Sequence, residues 1–247
     1  MGSFRLPTTP AGLVGTAFGL CPPYNRLVSP LPRSSAPRIA VVDYGAGNLR
    51  SVSRALARSG LAPEVTSSPA AVREADGVVL PGVGAFRDAV AKLSANGLDK
   101  AVRDAIEAGR PYLGLCLGLQ LLFEESDEHG ATPGFGLLAG RVERFPAPGE
   151  PGAPERVPHI GWNDVRFSGD HALTQRLPRS DSYYFVHSYR AVPRDAAIVA
   201  GVVDYGAPFA AAVATGNVFA VQFHPEKSSR AGLRLLRNFV DVCAGPP

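Results

Sequence analysis

Short apolar runs bounded by charge, proline or glycine recur through the first half of the chain: Ile39-Ala-Val-Val42 after Arg38, Gly77-Val-Val-Leu80, and Tyr112-Leu-Gly-Leu115 after Pro111. Each is apolar throughout rather than at alternate positions, the pattern of a parallel strand buried on both faces. Between them the period changes. From Asn48 to Ser59, residues Leu49, Val52 and Leu56 fall on one helical stripe, and 85–93 and 98–108 mix apolar and charged positions as surface helices do. Gly60, Gly97 and Gly109 follow these stretches as helix stops. Strand and helix in alternation predict an α/β fold with a doubly wound sheet.

The second half reads differently. Residues 142–145, 163–167, 183–192, 198–204 and 209–223 are strand-like and separated by Pro and Gly clusters, which predicts antiparallel strands and therefore a mixed sheet. A last helix is predicted from about 229 to 243, with Leu233, Leu236, Val240 and Cys243 on its inner stripe and Ser228 or Ser229 as its cap. Before Arg38 the pattern is absent. Residues 1–37 carry no Asp or Glu and are rich in Pro, Ser and Gly, as a disordered or non-native tail would be. The expected organisation is that tail followed by one domain, 38–247.

Composition narrows the class without naming a function. At 247 residues and 45% hydrophobic the chain can bury one substantial core. A formal charge of +3 with no basic run interleaved by aromatics gives no reason to expect nucleic acid. No apolar stretch is long enough to span a bilayer, so no membrane partner is expected. Three cysteines, at positions 21, 116 and 243, do not make an even disulfide framework, and a working thiolate suits a reducing cytoplasm. No Cys/His spacing suggests zinc and no phosphate-binding G-x-x-x-x-G-K-[ST] loop is present, so neither a metal nor a cofactor is expected.

Chemistry concentrates at Cys116. It stands in Leu113-Gly-Leu-Cys-Leu-Gly-Leu-Gln120, where an apolar strand meets glycine, thiol and glycine before a helical stretch. That is the make-up of a nucleophile elbow, whose tight turn leaves no room for side chains beside the exposed reactive atom. A helix start just beyond it is placed to stabilise negative charge on sulfur. Alone, such a cysteine reads as a small buried hydrophobe. Near the C-terminus, Asn217-Val-Phe-Ala-Val-Gln-Phe-His-Pro-Glu226 reads as a strand running into His224 and Glu226. Residues two apart on a strand share a side, so imidazole and carboxylate would lie together. Cys, His and Glu supply a nucleophile, a base that takes its proton, and an acid that orients the base. A third element, Gly77-Val-Val-Leu-Pro-Gly-Val-Gly-Ala-Phe86, breaks from strand into loop at Pro81-Gly82-Val83-Gly84. Backbone N–H groups there, with that of Leu117, can face a developing oxyanion.

Pro81-Gly-Val-Gly84, Gly114-Leu-Cys-Leu-Gly-Leu-Gln120 and Phe223-His-Pro-Glu226 together resemble the class I (triad) glutamine amidotransferases over roughly residues 38–243. The resemblance implies that family's doubly wound mixed sheet and a thiolate that attacks the glutamine side-chain amide, releases ammonia and leaves a glutamyl thioester for water to cleave. It assigns Cys116 as nucleophile, His224 as acid/base and Glu226 as its orienter, with Gly84 and Gln120 near bound glutamine. Asp43-Tyr-Gly-Ala-Gly-Asn-Leu-Arg-Ser-Val52, His159-Ile-Gly-Trp-Asn163 and Tyr184-Phe-Val-His-Ser-Tyr189 look like those members that pass ammonia to a separate (β/α)8 cyclase subunit in histidine synthesis. That likeness puts Asn48, Trp162 and Asn163 at the partner interface, although pattern alone reads the single tryptophan as a core anchor. His187 has two readings: a hydrogen-bonded strand residue, or part of a main-chain substrate contact made by His187, Ser188 and Tyr189, the latter resting on the family alone. Two alternatives keep their place: a glutaminase subunit of anthranilate or aminodeoxychorismate synthesis, and a non-catalytic amidotransferase-like interaction module.

Overall fold

The computed structural model describes residues 36–168 and 171–245. The expected tail, all but its last two residues, and Cys21 lie outside the described residues. Thirteen strands and six α-helices follow in order: β1 (Ile39–Val42), α1 (Leu49–Ala57), β2 (Glu64–Thr66), α2 (Pro69–Glu74), β3 (Gly77–Gly82), α3 (Phe86–Ala95), α4 (Leu98–Glu107), β4 (Tyr112–Cys116), α5 (Leu117–Gln120), β5 (Phe123–Ser126), β6 (Thr132–Pro133), β7 (Leu138–Arg144), β8 (His159–Phe167), β9 (Ser180–His187), β10 (Tyr189–Pro193), β11 (Val199–Tyr205), β12 (Ala207–Thr215), β13 (Val218–Val221) and α6 (Ser229–Ala244).

Nine strands form one sheet in the order β2-β1-β3-β4-β13-β12-β11-β8-β9. The pairs from β2 through β4 to β13 are parallel, and those from β13 to β9 are antiparallel. The sheet is mixed, as the two halves of the sequence predict. Alternation explains why the parallel strands read as unbroken apolar runs. In β1, Ala40 and Val42 enter the layer built on α2, α3 and α4, while Ile39 and Val41 enter the layer built on α1 and α6. A smaller sheet, β10-β7-β5-β6, shares no ladder with the first but packs on it, with Phe123, Leu138, Val142 and Ala191 in the same apolar layer as Ala210 and Val213.

Several boundaries differ from expectation, each for a local reason. Residues 183–192 are two strands in different sheets, broken at Ser188, where the His187 Nδ1–H donates to the Tyr189 carbonyl at 2.8 Å. Residues 209–223 form a hairpin instead of one strand, because Gly216-Asn217 makes a two-residue turn between β12 and β13. The strand expected at 163–167 starts at His159, and that at 142–145 covers Leu138–Arg144. The helix after Cys116 is a single turn. Elements β2, α2, β5 and β6 go unseen by periodicity, since none exceeds six residues and the β2 side chains are mostly exposed. In α6 the inner stripe is Leu235, Leu236, Phe239, Val240 and Cys243, with Leu233 only partly covered.

Candidate active site

Cys116 ends β4, at the carboxyl edge of the parallel strands, with φ 54° and ψ −104°. A non-glycine residue there lies outside the left-handed well and carries strain of about 1–3 kcal/mol. The glycines beside it permit the turn. A methyl on Gly114 would overlap the Gly118 carbonyl, and one on Gly118 would overlap the Leu80 carbonyl of β3. Tyr112 Oη donates to Gly118 O at 2.7 Å, closing the elbow from below.

His224 and Glu226 are not on a strand. β13 ends at Val221, and a 3₁₀ turn over Pro225–Lys227 folds the carboxylate back onto the imidazole: Nδ1 lies 2.9 Å from Glu226 Oε1, both side chains buried. Ser228, expected as a helix cap, does occupy the N-cap position of α6, but its side chain makes no capping bond. Its buried hydroxyl donates to the His224 carbonyl at 2.6 Å and accepts the Tyr184 N–H at 3.0 Å, while His224 N–H donates to Tyr184 O at 2.9 Å. The turn is thus stitched to β9. With Nδ1–H committed to Glu226, Nε2 is the nitrogen left for Cys116. Burial depresses the His224 pKa, but its hydrogen-bond and charge interactions with Cys116 and then Glu226 outweigh that and raise it from 6.5 to about 10. Nε2 still makes no hydrogen bond of full geometry. Such bonds commonly tighten only when substrate binds.

A cavity of about 380 Å³ opens at the sulfur. Its walls are Val83 and Gly84 from the loop after β3, Cys116, Leu117 and Gln120 from the elbow, Val186 to Tyr189 across the β9–β10 break, and Glu128. Gly82 lies just behind this wall, at the end of β3 and in register with Cys116. The backbone of His187 pairs with His159 of β8, as the strand reading expects, and the residue lines the cavity. Its imidazole is buried with that of His159, their Nε2 and Nδ1 3.1 Å apart. Burial lowers the pKa values of His187 and His159 to about 3 and about 4.

Asn48, Trp162 and Asn163 do not line the cavity. Asn48 precedes α1 without making a side-chain cap. Asn163 Nδ2 donates to Asp204 O at 3.0 Å. Trp162 is 55% exposed, so the core reading of this residue fails; beside it Ile160 is 60% exposed. Tyr184 packs edge-on to Trp162, and the Lys227 ammonium sits 5.6 Å from the Tyr184 ring centre. Ile160, Trp162 and Tyr184 share one face of the β8–β9 pair with Val186, which reaches the cavity.

Three residues of the site escaped sequence reasoning. Glu128 follows β5 and accepts the Phe86 N–H at 2.7 Å; nothing in its surroundings marked it. Ser228 stands at the N-cap of α6 as expected, but the bonds of its hydroxyl to the His224 turn and to β9 leave no sequence signal. Gln222 did carry a signal, as a lone polar residue in the apolar run from Val218 to Phe223. Among the described residues no group of three or more His, Cys, Asp or Glu side chains could hold a metal ion, and no helix is long and apolar enough to cross a membrane.

A family model described as glutamine amidotransferase class-I matches residues 40–243. The chain is 52% identical over 204 residues to the imidazole glycerol phosphate synthase subunit HisH of Moorella thermoacetica, covering 83% of this chain and 94% of that one. It is 50% identical to the subunit of the same name from Syntrophotalea carbinolica, covering 83% of this chain and all of that one. The fold also matches solved structures: a glutamine amidotransferase at 23% identity and PurLQS from Thermotoga maritima at 21%, each with a TM-score of 0.65 and covering 84% of this chain and 99% of the other.

Proposed function

The chain belongs to the class-I glutamine amidotransferase family, and from that premise we propose that it is the glutaminase subunit of imidazole glycerol phosphate synthase. One observation carries the reading: a strained Cys116 at the floor of a cavity, faced by a buried His224–Glu226 pair, in a chain half identical to HisH subunits over most of its length.

The Cys116 thiolate attacks the side-chain carbonyl carbon of glutamine. The carbonyl oxygen becomes an oxyanion, met by the Leu117 amide and by amides of the Gly82-Val83-Gly84 loop. His224, holding the proton taken from the thiol, gives it to the departing nitrogen, and the C–N bond breaks to leave ammonia and a glutamyl thioester. Water, deprotonated by His224, then cleaves the thioester to glutamate and regenerates the thiol. Glu226 holds His224 in the Nδ1–H tautomer throughout. Gln120 and the main chain of His187, Ser188 and Tyr189 position the substrate, whose α-ammonium suits the Glu128 carboxylate on the opposite wall.

Ammonia passes to a cyclase subunit, a (β/α)8 barrel in a heterodimer, which forms imidazole glycerol phosphate and aminoimidazole carboxamide ribotide in histidine biosynthesis. The surface favours such a partner. Ile160 and Trp162 expose apolar area on the same strand face as Val186, so a barrel docked there would cover the way out of the cavity; Asn48 and Asn163 enter the interface by family likeness, and Asn163 faces the other side of β8. A free working thiol favours a reducing compartment such as the cytoplasm. Complementation tests the acceptor. The chain should restore growth to a histidine auxotroph lacking its glutaminase subunit; rescue of a tryptophan or folate auxotroph alone would overturn the assignment.

A further inference from the structure

Gln222 lies two residues before His224, wholly buried, in the short stretch joining β13 to the His224 turn. Its side-chain amide is engaged at both ends. Oε1 accepts from Gln120 Nε2 at 3.1 Å, and Nε2 donates to Cys116 Sγ at 3.5 Å. Gln120 Nε2 also donates to the Tyr189 carbonyl at 3.1 Å, so both of its hydrogens are used within the protein and its Oε1 is the end left for the cavity. Each amide fixes the other's direction. A flipped Gln222 would set its NH2 against that of Gln120 and turn a carbonyl toward the sulfur.

We propose that Gln222 is a positioning residue for the reaction, a single amide that holds the Cys116 sulfur by donating a hydrogen bond to it and orients Gln120 so that a carbonyl faces the substrate. Its catalytic consequence rests on the reading of Cys116 as the nucleophile. A donor to sulfur favours the thiolate over the thiol, because hydrogen bonds to charged acceptors are about twice as strong as neutral ones. It also directs the anion: with Gln222 on one side and His224 on another, the remaining electron density points into the cavity. At the other end, a carbonyl of fixed direction selects a hydrogen-bond donor on the substrate and rejects an acceptor in the same place. The other titratable groups around the sulfur are Tyr44 from the loop after β1, held protonated by burial, His224 with Glu226 behind it, and Glu128 across the cavity.

Two substitutions separate the two ends of the amide. Gln222→Glu keeps the acceptor for Gln120 and removes the donor to sulfur; Gln222→Met, similar in volume and uncharged, removes both. In the full chain, iodoacetamide modification of Cys116, followed by mass spectrometry of its peptide across pH, should shift toward higher pH in both variants. With the cyclase present, kcat for glutamine should fall about 10- to 100-fold in both, the worth of a hydrogen bond to a charged group, while KM rises clearly only in Gln222→Met. A Cys116 alkylation profile that superimposes on that of the unsubstituted chain in a folded variant would overturn the proposal. So would kcat losses that follow only the folded fraction. Should neither variant fold, the side-chain amide protons of Gln222 in the unsubstituted protein carry the test by NMR: they should move with ionisation of the thiol, and a flat titration refutes the contact. Alkylation needs no turnover, so a Cys116→Ala chain that still hydrolysed glutamine would remove the catalytic reading and leave this readout standing.

Discussion

Cys116 keeps its strained backbone because the chain on either side of it cannot relax. Gly114 and Gly118 let β3, β4 and the first turn of α5 approach to backbone contact, and Tyr112 clamps the Gly118 carbonyl. The glycine–thiol–glycine pattern was therefore legible in the sequence as a steric requirement. The same packing predicts the effect of Gly118→Ala. Its methyl meets a strand carbonyl that cannot swing aside, so the substitution should cost about 3 kcal/mol or more. For a domain of this size that lowers Tm by roughly 6–12 °C, measurable by calorimetry. An unchanged Tm would mean that the elbow is looser than described. Glu128 shows the opposite case. A carboxylate in a polar loop has no periodicity or motif to betray it, and only the folding of β5 and its following turn against α3 brings it to the cavity.

The elements place the catalytic groups by interruption. β13 stops three residues before His224, and β9 stops one residue before Ser188; the first break bonds the His224 backbone to β9, and the second turns backbone toward the cavity. The strand pattern runs on through these points, because apolar residues continue across the breaks while the bonds at them, from the Ser228 hydroxyl and the His187 ring, leave no periodic signal. The histidines held in these elements also predict how stability follows pH. His159 and His187 bind protons in the unfolded chain below about 6.5 but resist them in the fold down to about 4 and about 3. Between those values the unfolded state holds more protons, so stability rises with pH. His224 behaves in reverse. Its raised value, about 10, leaves the fold with more protons than the unfolded chain above 6.5, so its contribution declines as pH climbs toward 10. Urea unfolding should therefore show greatest stability near pH 6.5, decreasing on both sides. A monotonic rise from pH 5 to 9 would contradict the assigned histidine states.

Across the molecule, fold class and the chain order of Cys, His and Glu were readable from sequence, since both follow from local apolar runs and short motifs. The four-stranded sheet was not. It is assembled from short strands, β5, β6, β7 and β10, whose partners are set by long-range pairing, and it supports the far wall of the cavity through Tyr189. The exposed face of β8 and β9 links the cavity to the proposed partner. Trp162→Ala removes a more than half-exposed ring packed edge-on to Tyr184, so the isolated chain should lose no more than about 1 kcal/mol of stability. Truncating an aromatic anchor should weaken cyclase binding by about 2 kcal/mol, some 30-fold in Kd by titration calorimetry. Equal affinity would place the barrel elsewhere.

If Cys116 makes ammonia for a second active site, its loss should spare that second site. Cys116→Ala assembled with the cyclase subunit gives the measurement: imidazole glycerol phosphate formation with glutamine and, separately, with added ammonium salt. Glutamine should no longer support synthesis, while ammonium should support it as in the unsubstituted complex. Continued synthesis from glutamine would contradict this role of Cys116.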